Sequence, residues 1–387
     1  MTQPLFKVMT IEGSMEKFRQ NFDRKTFLKD HIETVSLIQA YNTILAEEIV
    51  SQENIPGFHR STMDGYAVKA EDTYGASDSL PAYLDLVGEI MMSEKPSFSL
   101  QGGKTGRIST GGMLPEGSNA VVMLEYTDMA SPTLIEIRRS VAPWENVLRE
   151  GEDIRKKDMV LQKGNRIRPQ DIGVLAALGW NQVRVYRKPR IAIISTGNEV
   201  QPIRSKPLPG QIRDINSYSI GAAIMQSGAQ PVYGGIVPDD ENRLQDQLQQ
   251  YRDDPDVDMI LISGGSSVGV RDYTLKVLSC LGPPGILVHG LALKPGKPTI
   301  IAISHQKPII GLPGHPVSAM IVFQQVVKKI ILELTGELNR LQEPTDTLEA
   351  VLANNISSDA AREEYIHITL NNDQHQYYAI PILGKSG

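Results

Sequence analysis

Cysteine is almost absent from this sequence: Cys280 is the single cysteine among 387 residues. This scarcity excludes an intrachain disulfide and any zinc or iron–sulfur site built from several cysteines. Cys280 falls in a helical pattern over Tyr273–Leu281, and we expect it to be a small buried apolar residue there. No segment reaches the roughly 18 consecutive apolar residues that a membrane-spanning helix needs.

The sequence also lacks a large excess of charge of one sign. The net charge is −6, the pI is about 5.7, and lysine and arginine do not form long runs. Binding to nucleic acid through its phosphates is therefore not expected, and an anion site would have to be a local cluster. The charged N-terminal segment has no apolar signal core. The composition predicts a cytoplasmic protein without a nucleic-acid or membrane partner.

Glycine is plentiful, and three glycine-rich turns each follow a short apolar run, in Ile191–Gly197, Ile260–Gly269 and Ile309–Pro316. The Ile- and Val-rich runs predict strands that are buried on both faces of a parallel sheet, with crossover helices between them. Ligands bind where the loops leave the C-terminal ends of such strands. The pattern therefore predicts a site for a polar, phosphorylated small molecule.

The length predicts about two to four domains. Ser14–Asp30 and Glu33–Val50 have the spacing of two amphipathic helices, whereas Pro56–Trp144 alternates in short segments typical of an inserted β module. The predicted domains are a discontinuous helical linker domain (1–50 with 145–187), an inserted β domain (51–144), an α/β domain (188–338) and an apparently truncated C-terminal β domain (345–387).

Three acidic residues of the α/β segment follow strand ends or open helices: Glu199, Asp214 and Asp272. An acid in such a position can be a simple helix cap. Three acids at the ligand-binding edge also suit Mg²⁺, which takes one or two carboxylates and fills its remaining positions with water and phosphate. The seven histidines have no HxH or HxxxH spacing, which disfavours a metal site built from histidine.

Other candidates have two interpretations each. Asp64 precedes Gly65, a pair typical of a hairpin turn. Thr110 is either a phosphate or metal ligand or a turn hydroxyl, and Asp153 is either functional or part of a solvated charge cluster. Lys294 and Lys297 stand between prolines in the segment LKPGKPT, which makes a fixed anion site plausible beside the glycine-rich turns.

Taken together, these segments resemble the molybdopterin molybdenumtransferase family, which is related to the C-terminal domain of gephyrin. The matching stretches are collinear and extend from about residue 30 to 336. They are STMDGYAV (61–68), RISTGGMLPEGSNAVVMLE (107–125), REGEDI (149–154), PRIAIISTGNEV (189–200), GQIRDINSYSI (210–220), SGGSSVGVRDYT (263–274), LALKPGKPT (291–299) and GLPGHPVSAMIVF (311–323).

The resemblance implies a multidomain α/β plus β fold: a doubly wound, mostly parallel sheet domain of the molybdopterin-binding type, an inserted β module, a helical N-terminal linker region and a short C-terminal β module. It also implies an elongated homodimer whose active cleft is shared between subunits. The implied activity inserts molybdate into adenylylated molybdopterin with Mg²⁺-assisted hydrolysis, which releases molybdenum cofactor and AMP. The resemblance further implies handover partners, which are the adenylyltransferase and apo-molybdoenzymes.

The resemblance also implies site residues. Catalytic roles would fall to Asp64, Thr110, Asp153, Glu199, Asp214 and Asp272, and Mg²⁺ would be held by Asp64, Glu199, Asp214 and Asp272. Substrate and anions would be bound by Gly264, Gly265, Ser267, Arg271, Lys294, Lys297, Pro313, Pro316 and Ser318.

Several positions depart from the family pattern. Asn198 replaces a family aspartate, Leu148 and Glu150 thin an arginine-rich stretch, and His315 stands where asparagine is common. These departures leave two alternatives open: a non-catalytic cofactor-binding or scaffold paralogue, or an insertase that prefers tungstate. A third alternative, the related adenylyltransferase, is disfavoured because it would not need the module that carries Asp64 and Thr110.

Overall fold

The computed structural model describes residues 8–264, 268–337, 347–358, 361–373 and 376–382, and for residues 268–273 it describes the backbone alone. The chain forms two compact units. The first unit contains residues 1–46, 164–167 and 183–387, and the second contains residues 47–163 and 168–182. The division into four domains remains a prediction.

The helices are α1 (Ile11–Asn21), α2 (Arg24–Asp30), α3 (Pro169–Ala177), α4 (Asn216–Gln226), α5 (Glu241–Asp253), α6 (Val268–Cys280), α7 (Pro316–Val322) and α8 (Lys328–Thr335). A π-helical segment, Phe323–Val327, joins α7 to α8. None of the helices in the described parts of the chain is both long and apolar enough to span a bilayer.

The first strands are β1 (Ile32–Ser36), β2 (Ile44–Leu45), β3 (Ile49–Val50), β4 (Arg60–Ser61), β5 (Gly65–Val68), β6 (Ala82–Ile90), β7 (Lys104–Ile108), β8 (Ala120–Met123) and β9 (Thr127–Ser131). They are followed by β10 (Leu134–Ile137), β11 (Val147–Leu148), β12 (Met159–Leu161), β13 (Gln182–Tyr186), β14 (Arg190–Thr196), β15 (Val200–Gln201), β16 (Ile212–Arg213), β17 (Gln230–Val237) and β18 (Met259–Ser263). The last strands are β19 (Pro284–His289), β20 (Leu293–Lys294), β21 (Ile300–Ser304), β22 (Lys307–Leu312), β23 (Val351–Leu352), β24 (Glu363–Glu364), β25 (Ile368–Asp373) and β26 (Gln376–Pro381).

The main sheet of the first unit has the order β17-β14-β18-β22-β21-β19. Its first four strands run parallel, and β21 and β19 add an antiparallel edge. Alternate residues of each central strand enter different hydrophobic cores: Ile191 and Ile193 pack with α1, α4 and α8, while Ala192 and Ile194 pack with α5 and α6. The predicted doubly wound, mostly parallel sheet is confirmed.

The second unit contains a six-stranded sheet with the order β8-β5-β7-β6-β10-β9, as the inserted β module predicts. Gly65 is the first residue of β5 and pairs with Ile108 and Met123, so Asp64-Gly65 is not a hairpin turn. A Cβ at Gly65 would collide with the carbonyl oxygen of Val122. This glycine is required because β8 passes close to the backbone there.

The predicted helix over Glu33–Val50 is wrong: the segment forms β1, β2 and β3 with a 3₁₀ turn at Leu37–Ala40. In the first unit, β13 pairs with β1 and β2, and this pairing overrides the helical spacing of the apolar residues. The predicted helix over Ser14–Asp30 is divided at Phe22–Asp23, because the Asp23 side chain accepts from the N–H of Thr26 and starts α2.

Cys280 is exposed, so its expected burial is wrong. It is the last residue of α6, whose neighbouring residues Val277, Leu278 and Leu281 supply the buried contacts instead. The predicted C-terminal β module is present as a sheet with the order β23-β26-β25, and every described residue of β25 is exposed.

Asp258→Ala should destabilise the first unit by about 3–5 kcal/mol, because removal of one partner leaves buried charge without compensation. The Asp258 side chain is 2% exposed and accepts hydrogen bonds from His31 Nε2 and Arg187 Nη2, both at 2.8 Å. The measurement is the free energy of unfolding from denaturant titration, with fluorescence or circular dichroism as the signal.

Asp256→Ala is the matched control, since Asp256 is 69% exposed and contacts Arg190 at 3.3 Å. The control should change the free energy of unfolding by less than about 1 kcal/mol. Similar losses in both variants would contradict a structural role specific to buried Asp258.

Candidate functional site

The three glycine-rich turns meet at one cavity of about 310 Å³. The cavity lies at the C-terminal ends of β14, β18 and β22 in the first unit, where a parallel sheet places its ligands. Gly197, Gly264 and Gly314 each come from a different turn and line it. The predicted convergence of the three turns is confirmed.

A buried carboxylate organises one wall of this cavity. Asp214 is 7% exposed, and its Oδ1 accepts hydrogen bonds from the Ser195 hydroxyl at 2.9 Å and the Ser217 N–H at 3.1 Å. The second of these bonds caps the first turn of α4. The sequence allowed Asp214 to be either a helix cap or a residue of the ligand site. It has both features, since it caps α4 and also faces the cavity.

Asn216 joins two of the turns. Its Nδ2 donates to the Ser263 hydroxyl at 2.7 Å and to the Gly314 carbonyl oxygen at 2.8 Å. Asn216 does not cap α4, because it is the first residue of that helix and Asp214 accepts the N–H of Ser217. The asparagine instead holds the end of β18 against the turn after β22.

Three buried oxygens in the cavity wall have no hydrogen-bond partner within the described ranges: Thr196 Oγ1, Asn216 Oδ1 and Asp239 Oδ1. A buried polar atom without a partner costs roughly 1–3 kcal/mol. All three line the same cavity, so the arrangement fits a polar ligand that brings hydroxyl groups, N–H groups or coordinated water. Sequence patterns did not identify these residues as ligand-binding.

Two adjacent aspartates, Asp239 and Asp240, precede α5. Only Asp240 accepts a helix N–H, that of Arg243 at 2.9 Å. Asp239 faces the cavity instead, and its Oδ2 accepts from the N–H of Asn198 at 3.3 Å. Adjacent aspartates before a helix are a weak signal for such a division, because one residue can occupy the cap position and the other is left for a different role.

Gly264 explains why the turns can approach one another. Its φ is 131°, and a Cβ at this position would collide with the backbone oxygen and the hydroxyl of Thr196. Glycine is therefore required at this predicted site residue for steric as well as conformational reasons.

The cavity could hold a hard cation. Glu199, Asp214 and Asp239 all line it, and carboxylate oxygens are the ligands that such cations prefer. Among the residues that the structure describes, no three His, Cys, Asp or Glu side chains converge closely enough to enclose a metal. The donor set therefore fits a hydrated cation held by one or two carboxylates and completed by ligand oxygens.

In the second unit, two predicted catalytic residues contact each other. Asp64 Oδ1 accepts from the Thr110 N–H at 2.7 Å and from the Thr110 hydroxyl at 3.1 Å. Both hydrogen bonds lower the pKa of the Asp64 carboxyl, and the bond from the backbone N–H has the larger effect. Both residues are exposed, Asp64 directly before β5 and Thr110 shortly after β7, so an ionised carboxylate is presented to solvent. Asp153 lies in another exposed turn, and its backbone N–H donates to the Ile55 carbonyl oxygen at 3.1 Å.

Thr110→Val should raise the pKa of the Asp64 carboxyl towards its ordinary value, because one donor is lost while the backbone N–H remains. In the wild type, the ionised carboxylate stabilises the folded state above the unfolded-state pKa, and this stabilisation is lost as pH falls through the lowered pKa. The loss should occur at a higher pH in the variant. The measurement is an NMR titration of the Asp64 carboxyl carbon.

Thr127→Val serves as the control, because the Thr127 hydroxyl donates to the Leu124 oxygen rather than to a carboxylate. It should leave the titration of Asp64 unchanged. If Thr110→Val also leaves that titration unchanged, the hydroxyl does not stabilise the charged form of Asp64.

The loop that carries Lys294 and Lys297, here called the lysine loop (residues 293–298), packs against α7. A Cβ at Gly296 would lie 2.7 Å from Val322 Cγ2, and the Thr299 hydroxyl donates to the Gly296 oxygen at 2.7 Å. The first turn of α7 carries buried Ser318. The structure thus places the lysine loop beside the helix that follows the last glycine-rich turn.

The predicted substrate-binding residues divide into separate places. Gly264 and Pro316 line the 310 Å³ cavity, whereas Pro313, Ser318, Lys294 and Lys297 do not. Lys294 Nζ contacts Glu364 Oε1 at 2.9 Å, a partner that sequence patterns did not reveal. Gly265 and Ser267 lie outside the described residues. Arg271 and Asp272 lie on α6, but their side chains are outside the description.

Two family models match the sequence. The "MoeA N-terminal region (domain I and II)" matches residues 10–179, and the "probable molybdopterin binding domain" matches residues 192–333, which include the whole cavity wall.

Similar proteins cover most of the chain. The chain is 34% identical over 344 residues to a molybdopterin molybdenumtransferase of Nostoc sp., which is 86% of this chain and 76% of that protein. It is 35% identical over 306 residues to a molybdopterin molybdenumtransferase of Haemophilus influenzae, with 79% and 73% covered. The crystal structure of a molybdopterin biosynthesis MoeA protein from Pyrococcus horikosii superposes with a TM-score of 0.82 at 34% identity, with 98% and 91% covered.

The fold and the matched segments define a transferase that joins a molybdopterin-binding type α/β domain to an inserted β module. Identity above 30% over more than two thirds of the chain extends this from the fold to the family. The chain belongs to the molybdopterin molybdenumtransferase family, as its sequence motifs predict.

Proposed function

We propose that this protein is a molybdenum insertase that transfers molybdate to adenylylated molybdopterin, with Mg²⁺-assisted hydrolysis of the adenylyl anhydride and release of molybdenum cofactor and AMP. The observation that carries this proposal is the cavity at β14, β18 and β22. There, a buried hydrogen-bonded carboxylate lies beside three buried oxygens that lack partners among the described residues. Such a wall suits a ligand rich in hydroxyl, N–H and phosphate groups.

Asp214 is assigned the central role in the hydrolysis. The two hydrogen bonds that its side chain accepts within the described part of the chain both go to Oδ1, so the carboxylate is oriented while Oδ2 can accept a proton or hold a cation. In the reaction, a water oxygen bonds to one phosphorus of the anhydride while the bond from that phosphorus to the bridging oxygen breaks. The other phosphate leaves with the bridging oxygen, and the water loses a proton. We assign that proton to Asp214 Oδ2, since a positioned carboxylate close to the reacting water is a suitable general base.

Mg²⁺, when bound, would offset charge on the phosphate oxygens and on the leaving group. Glu199 is proposed to hold it directly and Asp214 to hold it through an intervening water, which leaves Asp214 Oδ2 able to accept a proton. Asp239 can accept hydrogen bonds from further water ligands. Thr196 and Asn216 are proposed to bind the polar groups of the adenylylated pterin. Asp64 and Asp272 remain proposed cation ligands, and Asp153 and Thr110 remain proposed catalytic residues.

The oxyanion is assigned to the lysine loop. Lys294 and Lys297 carry positive charge beside α7, and Ser318 lies in the first turn of that helix. Arg271, Gly265, Ser267 and Pro313 are proposed to complete the binding surface. Ammonium groups held on a packed loop attract molybdate or tungstate through charge, without a requirement for directional bonds.

The active form is proposed to be a homodimer in the cytoplasm, in which Asp64 and Thr110 of one subunit complete the cleft of the other. Product release would hand the cofactor to apo-molybdoenzymes, and substrate would come from the adenylyltransferase. A symmetric dimer of this kind has two equivalent clefts.

A defined reconstitution tests the function. The purified protein is mixed with molybdopterin-adenylate, Mg²⁺ and either molybdate or tungstate, while AMP release and activation of an apo-molybdoenzyme are followed. We expect both with molybdate. Faster AMP release with tungstate would identify a tungstate-preferring insertase, and an absence of AMP release with both oxyanions would contradict the proposal.

A non-catalytic cofactor-binding protein is the second candidate, and one contact favours it. Glu364 already neutralises Lys294, one of the two lysines assigned to the oxyanion. The same experiment separates the candidates, because a binding protein would retain molybdopterin-adenylate without releasing AMP.

A further inference from the structure

The C-terminal segment reaches the lysine loop by strand pairing. Strand β24 lies parallel to β20, and Glu364 is in register with Lys294. The Glu363 N–H donates to the Ala292 oxygen and the Tyr365 N–H donates to the Lys294 oxygen, both at 2.8 Å. These backbone hydrogen bonds on both sides of Glu364 hold its Cα beside that of Lys294.

Tyr365 anchors this segment to the body of the first unit. Its ring packs against the hydrophobic core that contains β14 and α7, and its hydroxyl donates to a Glu363 carboxylate oxygen at 3.1 Å. Burial, together with the bond to Glu363, raises the pKa of Tyr365 to about 12. The segment is therefore held by apolar contact as well as by backbone hydrogen bonds.

The Glu364 carboxylate meets the Lys294 ammonium at 2.9 Å. The glutamate side chain is 14% exposed and the lysine side chain is 44% exposed, so the ammonium can still be reached from solvent while the carboxylate is largely covered. A carboxylate and a tetrahedral oxyanion carry the same sign of charge and use the same N–H donors. Both therefore compete for Lys294.

We propose that Glu364 is an internal competitor that sets the affinity of the lysine loop for oxyanions. In one state, Lys294 pairs with Glu364; in the other, Lys294 turns its ammonium to the bound oxyanion. The pairing lowers oxyanion affinity and favours release, because the vacated ammonium regains a partner. This inference rests on the proposed function of Lys294 in oxyanion binding, and it makes Glu364 a residue that determines the affinity of that site.

Glu364→Gln tests the competition, because glutamine keeps the length of the side chain and removes its charge. Calorimetric titration of the full chain with tungstate or molybdate, without the pterin, should show tighter binding by about two- to fivefold at low salt. The difference should shrink as ionic strength rises, since the charge at Lys294 is open to solvent. Unchanged or weaker binding would overturn the proposal, and weaker binding would show that Glu364 positions Lys294 for the anion. An absence of measurable binding to both proteins would also count against it.

Glu363→Gln is the matched control, since it removes the same charge from the adjacent residue, whose carboxylate contacts Tyr365 rather than Lys294. Its effect on oxyanion affinity should be smaller than that of Glu364→Gln. Glu364→Asp provides a second variant: it keeps the charge and withdraws it by one methylene, so its affinity should lie between those of wild type and Glu364→Gln. Circular dichroism establishes that each variant is folded.

Lys294→Met separates this inference from the function on which it rests. If Lys294→Met leaves oxyanion affinity unchanged, the assignment of the oxyanion to Lys294 is wrong, and the competition with Glu364 is wrong with it. If Lys294→Met weakens binding but Glu364→Gln does not strengthen it, the lysine binds the oxyanion and only the competition is wrong.

Discussion

Asp214→Asn should lower the rate of AMP release by about 100- to 1,000-fold, the effect of removing one preorganised electrostatic group. The amide oxygen of asparagine can still accept from Ser195 and Ser217, so the cap of α4 should survive. Its NH₂ group, however, replaces the oxygen that is proposed to accept a proton or hold a cation. The measurement is AMP release in the defined reconstitution at saturating Mg²⁺, together with the thermal midpoint of the variant.

Asp240→Asn is a matched control for this substitution. Asp240 caps α5 through the N–H of Arg243 and does not line the cavity, although its neighbour Asp239 does. We expect wild-type turnover and a stability change within about 1 kcal/mol, because asparagine is also a good cap residue. Near wild-type turnover of Asp214→Asn would refute the central role of Asp214, and equal losses in both variants would indicate damage to the fold.

A mixed dimer of Asp64→Ala with Asp214→Ala should recover roughly a quarter of wild-type activity, although each variant alone is inactive. If the cleft combines Asp64 of one subunit with Asp214 of the other, a mixed dimer has one site with both lesions and one with neither. Random exchange in a two-fold dimer gives about half mixed dimers, each with one working site. Differently tagged subunits verify the exchange, and AMP release measures the recovery.

Asp64→Ala mixed with Thr110→Ala is the control. Asp64 and Thr110 contact each other within one β module, so every cleft of this mixed dimer carries a lesion. Activity should not rise above the mean of the two parent proteins. No recovery for Asp64→Ala with Asp214→Ala after verified exchange, or a monomer in sedimentation, would overturn the shared cleft.

Local sequence patterns predicted the elements whose structure depends on near neighbours. The Ile- and Val-rich runs that were predicted as strands are β14, β18 and β22, and they form the centre of the main sheet. These runs are buried on both faces, so their composition alone marks them as strands. The glycine-rich turns behind them meet at one cavity for the same reason: parallel strands end on the same edge.

Where the outcome depends on a distant partner, the local pattern was misleading. Residues 33–50 have helical spacing of apolar side chains, but β13, more than a hundred residues later in the chain, pairs with β1 and β2. Cys280 was expected to be buried because of its residue type, but it lies at the exposed end of α6. A short stretch of sequence does not show which distant strand it will pair with or how exposed a residue will be, because both depend on the rest of the fold.

The sequence by itself determined the family, the central strands of the sheet and two acidic residues at its ligand-binding edge, Glu199 and Asp214, because motifs and apolar periods are local properties. Only the tertiary structure decided which of two adjacent aspartates faces the cavity. It also decided that one oxygen each of Thr196 and Asn216 is buried there with no hydrogen-bond partner among the described residues. It also decided that Glu364 meets Lys294. Burial and charge pairing are properties of space rather than of chain order, and residues 70 positions apart share a contact only once the strands between them have packed.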